Sequence, residues 1–446
     1  MIVHQLTTFP FGGAGGAAVR HHQAVRGAGL HSRLFVRRND SGRAPASPTA
    51  IPELYTCEWV DSPTAGQSSF WQRWSDRRRR RRICEDYQRH LAPRSQLAET
   101  FADSELVEPT QPNAHLLSAN ILHLHWISFL IDYPSFFANV PRHLPLLWTL
   151  HDMNPLTGGC HYAGDCLRFR TGCGSCPQVA QPESYDISRR VLLSKAAALE
   201  GHTVTVVSPS RWLDRLAKQS PIWPDTTNFH VIPYGLDLQQ FQPVSREAAR
   251  ARWRLPPQSH LVGFVADNLN NPRKGYAVLA KALAALPAML GASSPVELVV
   301  LGRGGDALVD CAIPVHRLGY LESPRELSAA YSALDVLALP SLEDNLPQTG
   351  LEAMACGKPV VGFEIGGIPD FVFPGKTGGL ARPGDPIALA HEIALVLGDH
   401  RLQQRYAAGA RRLVAHEFEQ QQKTQKYLDL YREIARPQRP RLQRAA

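Results

Sequence analysis

"DVLALPSLEDNLPQTGLEAMACGKPVVGFE", Asp335 to Glu364, is the stretch that decides the fold. "DVLALPS" is a short apolar run and reads as a buried strand. "PQTGLEAMA" opens a helix. Pro347 suits its first turn, where a missing N–H does no harm, and Gly357 terminates it as the C′ residue. "PVVGFE" is the next strand. Apolar strands joined through a helix indicate a parallel sheet covered on both faces.

The same alternation runs along the whole chain. In the first half strands are expected in "MIVHQL", "SRLFVR", "NILHLHWI", "LPLLWTLHD", "TVTVVSPS" and "FHVIPYG". In the second half they are expected in "HLVGFVAD", "VELVVLG", "VHRLGY", "DVLALPS", "PVVGFE" and "GGLARP". Helical patterns such as "GGAAVRHHQAVRGAG", "GYAVLAKALAALPAML" and "SPRELSAAYSALD" lie between them. A Pro-rich, strand-poor break follows residue 235. The reading is α/β, two Rossmann-like domains facing across a cleft. Residues 1–234 form the first domain, 235–420 the second, and 421–446 a last helix with a basic tail.

Composition agrees. A chain of 446 residues is too long for one ordinary core. Its apolar content of 44% and charged content of 20% are those of a soluble globular protein. No apolar run is long enough to span a membrane. "MIVHQLTTFPFGG" reads as a first strand and not as a signal peptide, so the cytoplasm is the expected address.

Chemistry is suggested where strands feed helices. A helix N-terminus at the carboxyl end of a parallel strand is a phosphate site. Acids beside it, Glu343, Asp344 and Glu352, cannot bind the phosphate, but they can accept hydrogen bonds from hydroxyls on either side of it. A diphosphate flanked by two polyols describes a sugar nucleotide. The plainer alternative is that Glu352 caps a loop and Asp344 begins a turn. In "GFVADNLNNPRKGYAVL", Arg273 and Lys274 stand at another helix start, where cations reinforce an anion site. In "GGAGGAAVR", Gly15 and Gly16 allow close backbone approach where the first strand meets the first helix. His151 ends the strand "LLWTLHD" and faces the expected crevice.

Together these residues resemble the family 4 glycosyltransferases, retaining enzymes of the GT-B fold. The likeness is strongest from about Leu261 to Gly398. "PSLEDNLPQTGLEAMACGKPVV" followed by "GGIPDFV" is similar to the family's donor-binding signature, two glutamates with seven residues between them. "VIPYGLDLQQF" resembles its "V.PNG.D...F" linker, and "YLDLYREI" its closing helix, which returns to the first domain.

The resemblance implies a sugar moved from a nucleotide-diphosphate sugar to an acceptor hydroxyl, with no required cofactor. Asp344, with seven residues between it and Glu352, aligns over the first glutamate and would hold donor-sugar hydroxyls. Glu352 would hold the ribose. Asp is one methylene shorter than Glu, so Glu343 is an alternative for the sugar. Arg273 and Lys274 would contact the diphosphate, with Gly15 and Gly16 near it. Asn345, Thr349 and Gly350 complete the donor set. His151, Asp344 and Lys274 form the catalytic set. The first domain would bind the acceptor, a saccharide or lipid-linked saccharide in cell-surface polysaccharide assembly.

Two features stand apart. Cys160, Cys166, Cys173 and Cys176 cluster within 158–178 as C-x5-C-x6-C-x2-C. In a cytosolic chain this spacing favours a structural zinc over disulfides. The resemblance places such an insertion in a polysaccharide-assembly subset. The segment from Trp71 to Arg94 carries nine arginines against three acids, six of them consecutive from Arg77 to Arg82. With Phe70, Trp71 and Trp74 beside it, it suits an anionic membrane surface. No nucleic-acid partner is expected, because no binding module is recognised.

One rival reading is an NADP-dependent oxidoreductase. The loop from Gly13 to Ala18 satisfies G-x-G-x-x-A, but "TTFPF" stands where that fingerprint wants a tight turn. A two-carboxylate glycosidase is another, and it leaves the cationic loop unexplained.

Overall fold

The computed structural model describes residues 1–37, 54–56, 101–102, 107, 109–291, 295–305, 308 and 311–436. The arginine block, Cys57 and Cys84 lie outside the described residues. Strands β1 (Ile2–Thr7), β2 (His31–Val36), β3 (Leu54–Thr56), β4 (Ile121–Leu124), β5 (Leu146–Thr149), β6 (Val204–Ser208) and β7 (Asn228–Val231) build the first sheet. Its order is β3-β2-β1-β4-β5-β6-β7, and every pair is parallel. Strands β8 (His260–Asn268), β9 (Val296–Arg303), β10 (Val315–Gly319), β11 (Val336–Leu339), β12 (Val360–Phe363) and β13 (Gly378–Ala381) build the second, ordered β10-β9-β8-β11-β12-β13. It too is parallel throughout.

The expected doubly wound pair is borne out. The short edge strand β3 was not foreseen. Its "LYT" sits in a region whose composition is dominated by charge and proline, which hides a three-residue strand.

Both sheets reverse strand order at one place, between β1 and β4 and between β8 and β11. Ligands of open parallel sheets bind at such switch points, beyond the carboxyl ends of the strands. The loops there are Thr8–Phe11, 269–275 and 340–347.

Packing explains why strands and helices take these places. The central strands are buried at every residue: β4, β5, β6, β11 and β12 have no exposed position. One apolar cluster joins Leu124, Phe137 and Trp148 in the first domain. Two others fill the faces of the second sheet, one round Tyr331, Leu351 and Met354, the other round Phe264, Leu283 and Phe363. The helix Gln348–Ala355 ends as its sequence indicates. Gly357 takes φ 70°, its N–H meets the Met354 carbonyl, and the Lys358 N–H meets that of Ala353. That double closure is a Schellman motif. Pro347 lies one residue earlier than expected, at the N-cap.

The chain crosses between domains twice, side by side. The linker after β7 passes Leu236, whose N–H bonds to the Phe418 carbonyl and whose carbonyl accepts from Gln420 N–H. From there the helix Gln420–Ile434 runs back over the first sheet. Its apolar face joins Tyr427, Leu428 and Tyr431 to Val3, Val25, Ile121 and Val207. The Tyr431 hydroxyl reaches His123 Nδ1 at 2.7 Å and His21 Nε2 at 2.8 Å, and the Tyr427 hydroxyl reaches Thr149 at 3.0 Å.

Gly275, between the Arg273-Lys274 turn and the helix Tyr276–Leu290, tests the switch-point geometry. Its φ is 77°, and an added Cβ would lie 1.8 Å from the Pro340 carbonyl oxygen. Gly275→Ala should therefore lose stability by at least about 1–3 kcal/mol, the cost of a strained left-handed residue. Urea unfolding, read as a lowered midpoint at unchanged slope, checks this.

Candidate active site

Three loops and two helix tips meet at the cleft. After β8, Asn271 accepts the Arg273 N–H at 3.0 Å and shapes a single 3₁₀ turn, Pro272–Lys274. After β11, the loop leads into the helix Gln348–Ala355. The two are stitched together where the Leu342 N–H bonds to the Arg273 carbonyl at 2.8 Å. From the first domain the helix Gly12–Gly27 (α1) points its start at the same place, and the Gln348 side chain donates to the Gly13 carbonyl at 3.2 Å. Two helix N-termini thus face one gap, each carrying partial positive charge.

Gly15 is needed here because a Cβ would lie 2.1 Å from the Phe9 carbonyl oxygen. At Gly16 a Cβ would stand 3.4 Å from the Arg20 guanidinium. Gly350 packs flat beneath Phe371 and Leu339. Thr349 sits in the first turn beside it.

The acids do not wait unpartnered. Asp344 is buried, and its Oδ2 accepts from Lys274 Nζ at 2.7 Å and from Ser341 at 3.2 Å. Its Oδ1 accepts the Asn345 N–H at 3.1 Å, and Arg273 stands 3.6 Å away. Burial opposes the charge on Asp344. Lys274 and then Arg273 overcome that penalty and hold the carboxyl below its ordinary value.

Arg273 is the better buried of the two cations. It donates to the Glu343 carbonyl at 2.5 Å and lies 4.0 Å above the Tyr162 ring. Lys274 keeps about a quarter of its side chain exposed, so it is the more accessible of the two. Glu343 turns away, accepting the Gly164 N–H at 2.9 Å. Glu352 accepts from the Tyr331 hydroxyl at 2.8 Å. Burial raises its pKa, against the pull of Arg20 and Tyr331.

Arg20 was not singled out in the sequence. It comes from α1, and its charge faces Glu352 and Tyr234 across the gap. The usable signal was its position one turn after the glycines. Asn345 also bridges the domains: its side chain donates to the His151 carbonyl at 3.1 Å and accepts from the Ser210 hydroxyl at 2.6 Å. His151 lines a cavity with Arg20, His21, His125, Tyr234 and Gln348. Burial lowers its pKa to about 4, with Asp152 opposing and Arg20 assisting. The imidazole is neutral at pH 7.

The cysteine segment touches this site directly. Its tip supplies Tyr162 to Arg273 and Gly164 to Glu343. At its base, Cys160, Cys166, Cys173 and Cys176 are free thiols that line one cavity with Phe101 and Phe169. The Gly158 N–H donates to Cys173 Sγ at 3.3 Å. Burial pushes the Cys173 thiol up to about 11 and raises Cys160 further. Among the described residues, however, no three His, Cys, Asp or Glu side chains form a group able to hold a metal ion. No helix among them is long and apolar enough to cross a membrane.

Asp344 yields a pH test. Its folded pKa is depressed, so it contributes stability that is complete above the ordinary carboxylate value near 3.8 and is lost as pH falls through the folded value. Asp344→Asn should destabilise at neutral pH by about 3 kcal/mol, since it leaves Lys274 and Arg273 facing a neutral amide. The difference from wild type should shrink below about pH 4. Paired denaturation curves at pH 7 and pH 3 read both effects.

Comparison with known proteins fits this geometry. The sequence pattern of the glycosyl transferases group 1 family matches residues 259–399. D-inositol 3-phosphate glycosyltransferase of Xylanimonas cellulosilytica is 29% identical over 310 residues, covering 66% of this chain and 67% of that one. The same-named protein of Segniliparus rotundus is 34% identical over 203 residues, 43% of each chain. Most of the first relatives are matched over less than two thirds of their own length. Sucrose-phosphate synthase from Thermosynechococcus elongatus superposes with a TM-score of 0.68 at 20% identity, over 97% of this chain and 99% of that one. Anabaena HepE, in complex with UDP and glucose, gives 0.64 at 17% identity, over 97% and 100%. These likenesses show the GT-B fold and leave the oxidoreductase alternative without support. Residues 259–399, which span the second sheet, thus carry the glycosyl transferases group 1 pattern on a fold shared along the length of the chain.

Proposed function

We propose that the protein moves a glycosyl group from a nucleotide-diphosphate sugar to an acceptor hydroxyl, with retention at the anomeric carbon. One observation carries the reading: two helix N-termini meet at the switch points of two facing sheets, with the Lys274–Asp344 pair on the neighbouring loops. Charge grows on the diphosphate oxygens as the anomeric bond lengthens. Fixed donors aimed at that charge are the largest catalytic resource such a site has. Relatives of the same fold crystallise with UDP, which supports a nucleotide donor.

The acids take revised roles in this reading. Asp344 holds Lys274 in place instead of gripping the sugar, because both its oxygens are already engaged. Arg273 steadies the loop from beneath. Glu352, held by Tyr331 and Arg20, remains the acid for the ribose. The first domain receives the acceptor, and the second binds the donor. No divalent metal is invoked, since cations and helix tips supply the positive charge.

A structural zinc at the four thiols is a secondary reading, supported by their sharing one cavity. Metal analysis should find one zinc per chain. Four titratable thiols without zinc would remove it.

Lys274→Ala should lower kcat by about 10²-fold or more. Thermal unfolding with UDP-, GDP- and ADP-sugars identifies the donor, as the one that raises Tm. A silent panel would sink the reading, and so would unchanged turnover in the variant.

A further inference from the structure

Both ring nitrogens of His151 are engaged inside the protein. Nε2 lies 3.1 Å from His125 Nδ1, and Nδ1 lies 2.9 Å from the Tyr234 hydroxyl. The Tyr234 ring lies nearly parallel to the imidazole, 5.6 Å between centres and 11° between planes.

The direction of each bond follows from one amide. Gln5 donates from Nε2 to the Ser32 hydroxyl at 2.8 Å, which turns its Oε1 toward His125 Nε2 at 2.9 Å. Ser32 also meets His22 Nδ1 at 2.9 Å. His125 must then donate to Gln5. A neutral imidazole has one donor and one acceptor, so His125 Nδ1 accepts. The proton between the two rings therefore sits on His151 Nε2. His151 Nδ1 is left as the acceptor, and the Tyr234 O–H donates to it.

We propose that Tyr234 and His125 are positioning residues for glycosyl transfer, holding His151 as the neutral Nε2–H tautomer with both nitrogens turned away from the substrate. This rests on the reading that His151 lines the donor-sugar pocket. His151 then meets the sugar with its ring edge, its carbonyl being taken by the Asn345 amide. It neither gives nor takes a proton during the reaction. Tyr234 stands in the linker between the sheets, so the orientation of the histidine is tied to that crossing.

The groups facing this chain are known. Arg20 from α1 and Asp152, next along the backbone, face His151. His21, His22 and His123 surround His125. Tyr427, Asp152, Asp344 and Arg20 face Tyr234. A hydroxyl donating to Nδ1 favours the neutral ring, so its removal moves the imidazole pKa upward.

The decisive measurement is long-range ¹⁵N–¹H NMR of ¹⁵N-histidine-labelled full-length protein at pH 7, with His151 assigned through His151→Gln. The expected spectrum shows His151 protonated at Nε2 and bare at Nδ1. Protonation at Nδ1, or at both nitrogens, would overturn the proposal whatever the enzyme turns out to transfer. In Tyr234→Phe, His151 should titrate at higher pH than in wild type. The acid limb of kcat should move with it, and kcat should fall on the order of 10- to 100-fold, the scale set by a misoriented group. KM for the nucleotide sugar should stay within about twofold of wild type, because no donor contact is removed. An unchanged titration and unchanged kcat in a folded Tyr234→Phe protein would also overturn it. Failure of every nucleotide sugar to raise the wild-type Tm would instead remove the donor reading and leave the tautomer result standing.

Discussion

The cleft depends on one buried carboxylate. Asp344 costs desolvation, and it is tolerated because Lys274, Arg273, Ser341 and a backbone N–H surround it. That arrangement joins the loop after β8 to the loop after β11, so the two edges of the switch point cannot drift apart. It also fixes the Lys274 ammonium in place, and in the proposed reaction that ammonium would meet the diphosphate. A cation fixed in advance adds little reorganisation cost when negative charge develops, which is why such preorganisation is effective.

A second set of contacts seats the first domain on this loop. Asn345 binds the His151 carbonyl and the Ser210 hydroxyl, and the Arg211 N–H donates to Asp370 at 2.6 Å. Tyr162 covers Arg273, and Gly164 holds Glu343. The loop that carries the acids is thus gripped from both domains, and the cysteine segment is one of the grips. Sequence reading gave that segment a structural zinc. It did not place its tip against the donor loop, because contacts between residues some 180 positions apart leave no local pattern.

Legibility varied with range. Most strands were readable because each is a short apolar run set off by polar or turn residues, and the helix Gln348–Ala355 because Pro347 and Gly357 punctuate it. The rule about strand ends pointed to the loops after β1, β8 and β11, which flank the two switch points. What each acid binds did not follow. Spacing alone puts Asp344 over a sugar-binding position. Only the geometry shows that a short aspartate closes on the neighbouring lysine, while the longer Glu343 swings to a backbone N–H. Arg20 and Tyr234 escaped notice for a similar reason. Each is an ordinary residue in its local pattern and gains meaning only across the interface.

The paired crossings at Leu236 and Gln420 set what motion remains. A single linker would let the domains swivel freely about it. Two strands of chain bonded edge to edge act as a pin with one easy axis, and the tyrosines of the closing helix clamp the pin to the first sheet. Tyr234, which bonds to the His151 ring, stands two residues from the Leu236 crossing, so the seat of the histidine is anchored where the two passages of chain meet.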